Sequence, residues 1–433
     1  MKDQQGILDK LQIGKLTPMQ EEAHEAISSG ADVVLLSPTG SGKTLAYLLP
    51  IVEKLNRIIA EVQVLILVPS RELAMQIEQV TREMGTGFKA NAVYGGRAGS
   101  QDKLDLQHRP AILIGTPGRV ADIIRKGRFS PLTVTTLVLD EFDKSLEVGF
   151  EVEMEEILSS LPKVKQRILT SATQSVRIPD FVRMQKPLYV NYQNEGVEQL
   201  DVKIIVSPLK DKLQTLVKAL CHLGDKPGIL FCNYKESIQR VSDYLTETGI
   251  AHTCFHGDME QIERERALVQ FRNGTHRLIV ATDLAARGLD IPEIKFIMHY
   301  QLPGRDHEFV HRNGRTARMK SDGTAYILKW VDEELPQYVK GAGVEKLKEA
   351  PLPPVSKWAT LYISGGRRDK ISKGDIAGLF IKQGNISGDA LGIIEIKQDC
   401  AFVAVNASMA SRLVDTLNNS RLKTKKIRVS AIE

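Results

Sequence analysis

The stretch "DVVLLSPTGSGKTLAYLLPIVEKL", Asp32 to Leu55, decides the fold. Val33 to Leu36 form a short unbroken apolar run, the pattern of a strand buried on both faces. From Leu45 the chain reads as a helix. Between them lies "SPTGSGKT" (37–44), a turn rich in small residues. A strand, a glycine turn and a helix in that order curl backbone N–H groups around an anion, and the helix N-terminus reinforces the attraction. Pro38, Thr39, Gly40, Ser41 and Gly42 would cradle phosphates. Lys43 would reach the β- and γ-phosphates, and the Thr44 hydroxyl would bind magnesium. The pattern GxxxxGK[ST] fails at one place, where Ser37 stands for the first glycine.

A phosphate loop of this kind needs acids on a nearby strand. "LVLDEFDKS" (137–145) supplies them. Asp140 would hold magnesium, and Glu141 would polarise an attacking water. Phe142 is a bulky residue among carboxylates. Its reading is a packing variant whose side chain points away from the phosphates.

Working outward, the same pattern recurs along the chain. "VQVLILVPS" (62–70), "AILIGTP" (111–117), "LVLDE" (137–141) and "RILTSAT" (167–173) are further buried strands ending in polar clusters. Open α/β sheets bind ligands beyond the carboxyl ends of their strands, so the polar chemistry collects where such a fold places sites. "PGILFCN" (227–233), "RLIVATD" (277–283), "FIMHY" (296–300) and "TAYILK" (324–329) begin a second α/β series. "NYQNEGVEQ" (191–199) joins the two, and "EAPLPPVSK" (349–357), with three prolines, reads as a semi-rigid linker. The last piece reads β-α-β-β-α-β, with Ser408 as the N-cap of its second helix and "KKIRVSAI" (425–432) as its final strand. The expected boundaries are residues 1–196, 197–345, a linker at 346–357, and 358–433.

Charge divides unevenly. Residues 355–433 hold 13 Lys and Arg against 7 Asp and Glu, a net of +6, while the remainder carries −1. The end of the chain is therefore the part suited to a polyanion. No apolar run approaches the roughly 20 residues of a membrane span. The four cysteines are scattered with no CxxC, against a zinc site or disulfide framework and for a reduced, cytoplasmic protein.

The motifs in their order resemble the DEAD-box family of RNA-dependent ATPases. "LTPMQ" (16–20) is similar to the Q motif, with Thr17 and Gln20 toward the adenine. "PSRELA" (69–74), Gly95-Gly96 and "TPGR" (116–119) resemble its first-domain RNA contacts, "DEFD" its motif II and "SAT" (171–173) its motif III. "HGDMEQIER" (256–264), "ATDLAARGLDIP" (281–292) and "HRNGRTAR" (311–318) resemble elements of its second domain.

The resemblance implies two tandem RecA-like parallel-sheet domains of the α/β class, then an α+β RRM-like domain. It implies ATP and Mg2+ as cofactors and RNA as partner. Arg315 and Arg318, three residues apart and expected on one helix face, become arginine fingers. Asp290 reaches the ribose. Asp143, Ser171 and Thr173 couple hydrolysis to RNA. Pro69, Arg71, Gly96, Arg97, Thr116, Arg119, Arg264 and Thr282 hold the RNA backbone. Departures are Phe142 where the family has Ala, Asn313 and Ala317 in the last motif, and Asp3 where it carries an adenine-stacking aromatic.

The final domain resembles that of the bacterial DbpA/YxiN type, which implies 23S rRNA or pre-50S particles as target and a monomer working without a membrane. Tyr362 and Phe402 occupy base-stacking positions, but Cys400 and Val405 stand where aromatics are usual. Arg367, Arg368, Lys370, Lys423, Lys425, Lys426 and Arg428 are the alternative contacts. A catalytically weak rRNA-binding scaffold is the competing reading.

Overall fold

The computed structural model describes residues 4–38, 40–96, 106–172, 178–193, 200–283, 294–316, 323–339 and 341–432. The chain divides into two compact units.

The first unit is built on a seven-stranded sheet. Its strands are β1 (Val33–Leu36), β2 (Val64–Leu67), β3 (Ala90–Val93), β4 (Ile112–Gly115), β5 (Thr136–Leu139), β6 (Gln166–Ser171) and β7 (Leu188–Asn191), in the order β3-β4-β2-β5-β6-β1-β7. All pairings are parallel. Parallel strands need helices on both faces, and side chains alternate between them. Val33, Leu35, Val64 and Ile66 enter one core, and Val34, Leu36, Leu65 and Leu67 enter the other. The two faces explain why the strands read as unbroken apolar runs. Beyond the carboxyl ends, β1, β5 and β6 carry the phosphate-loop and acidic motifs. The ends of β2, β3 and β4 carry Pro69, Gly96 and Thr116.

The second unit starts with a sheet of the same kind. Its strands are β8 (Asp201–Ser207), β9 (Gly228–Phe231), β10 (Thr253–Phe255), β11 (Leu278–Ala281), β12 (Phe296–His299), β13 (Thr324–Trp330) and β14 (Gly343–Val344), in the order β10-β11-β9-β12-β13-β8-β14.

A four-stranded antiparallel sheet follows, made of β15 (Trp358–Ile363), β16 (Leu391–Ile396), β17 (Ala401–Asn406) and β20 (Val429–Ala431), in the order β16-β17-β15-β20. This is the ferredoxin-like arrangement expected of an RRM-like domain. The helices Lys373–Lys382 and Ala410–Leu417 cover one face, where Ile376, Phe380 and Leu413 pack against Leu361, Ile363 and Val403.

Two local expectations are corrected here. Ser408 does not cap the second helix: it lies in a 3-10 turn (Ala407–Met409), and Asn406 caps that turn by accepting from the Ser408 N–H at 3.0 Å. "KKIRVSAI" is not one strand, because Lys425–Lys426 (β19) pairs with Arg421–Leu422 (β18) in a hairpin and only Val429–Ala431 joins the main sheet. Lys423 turns that hairpin at φ 54°. Among the described residues, no helix is long and apolar enough to cross a membrane.

Candidate functional site

In the first unit the phosphate loop is held open by two left-handed glycines, Gly40 at φ 83° and Gly42 at φ 88°. A Cβ on Gly42 would lie 2.4 Å from the Gln20 amide nitrogen, and at φ 88° a side chain there would be strained. Gln20 reaches it from the helix Pro18–Ser28. Thr17 caps that helix by accepting from the Gln20 N–H at 3.3 Å, and the Gln20 side-chain oxygen accepts from the Thr17 N–H at 2.9 Å. The Gln20 amide then donates to the Gly42 carbonyl at 3.3 Å. The capping box thereby ties the adenine-side motif to the loop. Ser37, the residue that broke the glycine pattern, donates its hydroxyl to the Ser41 hydroxyl at 2.7 Å. Lys43 is buried and donates to the Ser37 and Pro38 carbonyls at 2.6 and 2.8 Å. Thr39 lies outside the described residues.

Asp140 directly follows β5 and is 3% exposed. Both its carboxylate oxygens accept hydroxyl donors: Tyr47 on Oδ2 at 2.8 Å and Thr170 on Oδ1 at 2.5 Å. The Thr170 oxygen accepts in turn from the Glu141 N–H at 3.1 Å. Glu141 stands at φ 47°, a left-handed setting rare for a side-chain-bearing residue, and it turns β5 into the helix Phe142–Glu147. Burial pushes the Tyr47 phenol well above its ordinary pKa and the adjacent Asp140 charge adds to this, while a hydrogen bond with Thr44 pulls the other way. Thr44 and Asp140 offer a hydroxyl and a fixed carboxylate, hard oxygen donors that suit magnesium. Phe142 is 1% exposed and lies in the apolar cluster with Leu139 and Leu169, as its sequence reading expected. Asp143 and Ser171 are buried at the start of that helix and at the end of β6, and Thr173 lies outside the described residues.

The other end of the sheet gathers the residues expected to touch RNA. Arg71 opens the helix Arg71–Glu83 behind the Ser70 cap. Gly95 and Gly96 fold over it, and a Cβ on Gly96 would lie 2.5 Å from the guanidinium. Thr116 stands at the N-cap position of the helix Pro117–Arg125 without a side-chain capping bond, and Arg119 pairs with Asp122 at 3.0 Å. Pro69 is buried at the end of β2. Arg97 lies outside the described residues.

In the second unit, Arg264 lies over the Phe255 ring at 4.9 Å, and the Thr282 N–H donates to the Phe255 carbonyl at 3.3 Å. Arg315 is buried, but not on a helix: the helix Asp306–Asn313 ends at Gly314 and Arg315 follows in a turn. The shared helical face expected for Arg315 and Arg318 is therefore corrected at its first member. Arg318 and Asp290 lie outside the described residues.

Sequence reasoning missed Arg312. It is 2% exposed, forms a bidentate pair with Asp283, and donates to the Gln301 carbonyl at 2.6 Å and to Asn233 Oδ1 at 2.7 Å. One guanidinium thus ties its own segment to three others. The signal was its place in a basic run, which reads as solvated. His299, fully buried, bonds Asn313 Oδ1 at 2.9 Å, which accounts for the unusual Asn313. Burial lowers the His299 pKa to about 3, and the Arg312 charge works in the same direction.

In the third domain the basic residues converge. Arg367, Arg368 and Lys370 lie in the loop after β15, and Lys423, Lys425 and Lys426 lie in the β18–β19 hairpin. Lys425 pairs with Asp369 at 2.7 Å, Lys423 with Asp375 at 2.8 Å and Arg368 with Asp399 at 2.9 Å. The Lys423 and Ser372 hydrogen bonds hold the Asp375 carboxyl down at about 2. Arg428 beside them is exposed.

The sheet face that would stack bases is turned elsewhere. Tyr362 and Phe402 meet edge-on at 5.8 Å, Phe402 is 3% exposed, and burial raises the Tyr362 pKa. On the same face Glu395 takes a bidentate pair from Arg272, and the Thr360 hydroxyl bonds Asn273 at 3.2 Å and Thr275 at 2.7 Å. These partners sit at the end of the helix Gln261–Arg272, so the second RecA-like sheet's own helix occupies this surface.

Three family models match the chain: "DEAD/DEAH box helicase" over residues 17–181, "Helicase conserved C-terminal domain" over 211–320, and "DbpA RNA binding domain" over 360–431. The ATP-dependent RNA helicase DbpA of Escherichia coli is 31% identical over 440 residues, covering 98% of this chain and 96% of that protein. The Bacillus subtilis protein of the same name is 31% identical over 452 residues, covering 96% and 94%. Among solved structures, S. cerevisiae Dbp5 bound to RNA and ADP BeF3 is 26% identical with a TM-score of 0.67, covering 75% of this chain and 87% of that one.

Proposed function

The chain belongs to the DEAD/DEAH-box family of ATP-dependent RNA helicases, and from that premise we propose that it remodels 23S rRNA during large-subunit assembly, as a cytoplasmic monomer. The observation that carries the rRNA target is the basic cluster at one end of the third domain, in a domain similar to those of the DbpA helicases. RNA contact falls on Arg367, Arg368, Lys423, Lys425, Lys426 and Arg428, with Tyr362 left to the domain contact.

In the proposed cycle Thr17 and Gln20 select the base, and the loop that follows Pro38 holds the phosphates with its N–H groups. Thr44 and Asp140 would hold a magnesium ion, which would supply positive charge to offset that of the phosphates. Glu141 orients and deprotonates the attacking water. Arg315 and Arg318 stabilise charge on the transferring group, and Asp290 holds the ribose. Pro69, Arg71, Gly96, Arg97, Thr116, Arg119, Arg264 and Thr282 hold sugar and phosphate, which gives grip without sequence preference. Asp143, Ser171 and Thr173 link that grip to hydrolysis. Specificity is then left to the third domain.

The test is phosphate release with and without RNA. Turnover should rise with RNA and be lost in Glu141→Gln, with ATP affinity kept. Turnover surviving that change would overturn the assignment of Glu141.

A further inference from the structure

We propose that Tyr47 is a positioning residue for the metal-binding carboxylate: its buried hydroxyl donates to Asp140 and, with Thr170, fixes the Asp140 carboxylate in one orientation. The inference rests on the reading of Thr44 and Asp140 as magnesium ligands.

Tyr47 follows Thr44 by three residues on the helix Lys43–Lys54, so the two side chains share a face. It is fully buried, and a buried phenol must place its proton on an acceptor. That acceptor is Asp140 Oδ2, at 2.8 Å. On the other side, Thr170 holds Oδ1 and also receives the Glu141 N–H at 3.1 Å. Oδ1 thus carries the Thr170 hydroxyl and the Glu141 N–H, while Oδ2 carries only the Tyr47 hydroxyl and keeps a lone pair for ligation. Neither Tyr47 nor Thr170 belongs to a motif that the sequence singled out for catalysis. Both act through Asp140, as groups behind metal ligands do, and loss of such partners typically costs 10–100-fold in metal affinity.

The experiment is a magnesium titration of the full chain carrying fluorescent N-methylanthraniloyl-ADP, read by emission. Tyr47→Phe keeps the ring and removes only the oxygen. It should raise the half-saturating magnesium concentration by about tenfold, leave ADP affinity without magnesium unchanged, and melt near the parent. Thr170→Val should shift the curve in the same direction, and Thr170→Ser should restore it. An unshifted curve in a folded Tyr47→Phe overturns the proposal. If that variant does not fold, an unshifted Thr170→Val does so. Asp140→Asn separates the two layers. If it shifts the curve and Tyr47→Phe does not, only the positioning role fails. If it leaves the curve unmoved, the ligand reading fails and the proposal with it.

Discussion

Glu141 and Phe142 share one turn but answer to different demands. Glu141 is held at φ 47° and ψ 50°, a setting that costs about 1–3 kcal/mol where the surroundings enforce it. Its N–H is fixed by Asp140 and Thr170, so the strained residue sits among the groups of the proposed chemistry. Phe142 has left that chemistry for the core. Its burial accounts for the residue that motivated the scaffold reading, because the acids beside it remain in place. Phe142→Ala should therefore lower unfolding stability of the first domain by about 3–5 kcal/mol, the usual cost of deleting a buried phenylalanine. Denaturant unfolding measures this, and a loss below about 1 kcal/mol would show that the side chain is not packed as described.

At the scale of elements, the central strands were legible because burial on both faces demands unbroken Val, Ile and Leu runs. β3, with Ala90 and Asn91, and β7, with exposed Leu188 and Tyr189, were not. They are edge strands, where one side of the ladder is unpaired and side chains need not be apolar. The phosphate loop and the acid pair were readable because their chemistry restricts residue types. The supports were not: Tyr47 and Thr170 look like ordinary helix and strand residues, and Arg312 looks like surface charge. Only the three-dimensional arrangement shows that they converge on Asp140 and on Asp283. The occupied sheet face was equally hidden, because Thr360 and Glu395 resemble exposed strand residues.

The element-scale prediction concerns His299, which ties β12 to the helix Asp306–Asn313. Its pKa falls from 6.5 to about 3 on folding, so below 6.5 the unfolded chain binds the extra proton. The stability it contributes is complete above pH 6.5 and is lost as pH falls from there toward about 3. Within that window the slope is up to about 1.4 kcal/mol per pH unit. Unfolding of His299→Gln across this range should show a shallower acid limb than the parent, and equal slopes would contradict the assignment.

For the whole molecule, the uneven charge has a structural counterpart. The net positive piece is the third domain, where the exposed Arg367, Arg368 and Lys370 share one loop and the exposed Arg421, Lys423 and Lys426 one hairpin. The contacts proposed for the helicase domains are to sugar and phosphate, which cannot choose among RNAs. The proposed function divides the labour: the two RecA-like sheets supply ATP-driven force, and the cluster around Arg367 and Lys426 is proposed to select where it is applied. The polar contact between Glu395 and Arg272 links the selecting domain to the helix that bears Arg264.

The measurement that tests this most directly is ATP turnover as a function of RNA concentration. It compares 23S rRNA fragments with unrelated RNA of equal length, in the parent and in a variant with Arg367, Arg368, Lys426 and Arg428 changed to Ala. The parent should reach half-maximal stimulation at a roughly tenfold lower concentration of one 23S fragment, about 1.4 kcal/mol of preference. The variant should lose that preference while keeping its maximal rate. Equal stimulation of the parent by every RNA, or a preference that survives in the variant, would contradict the account.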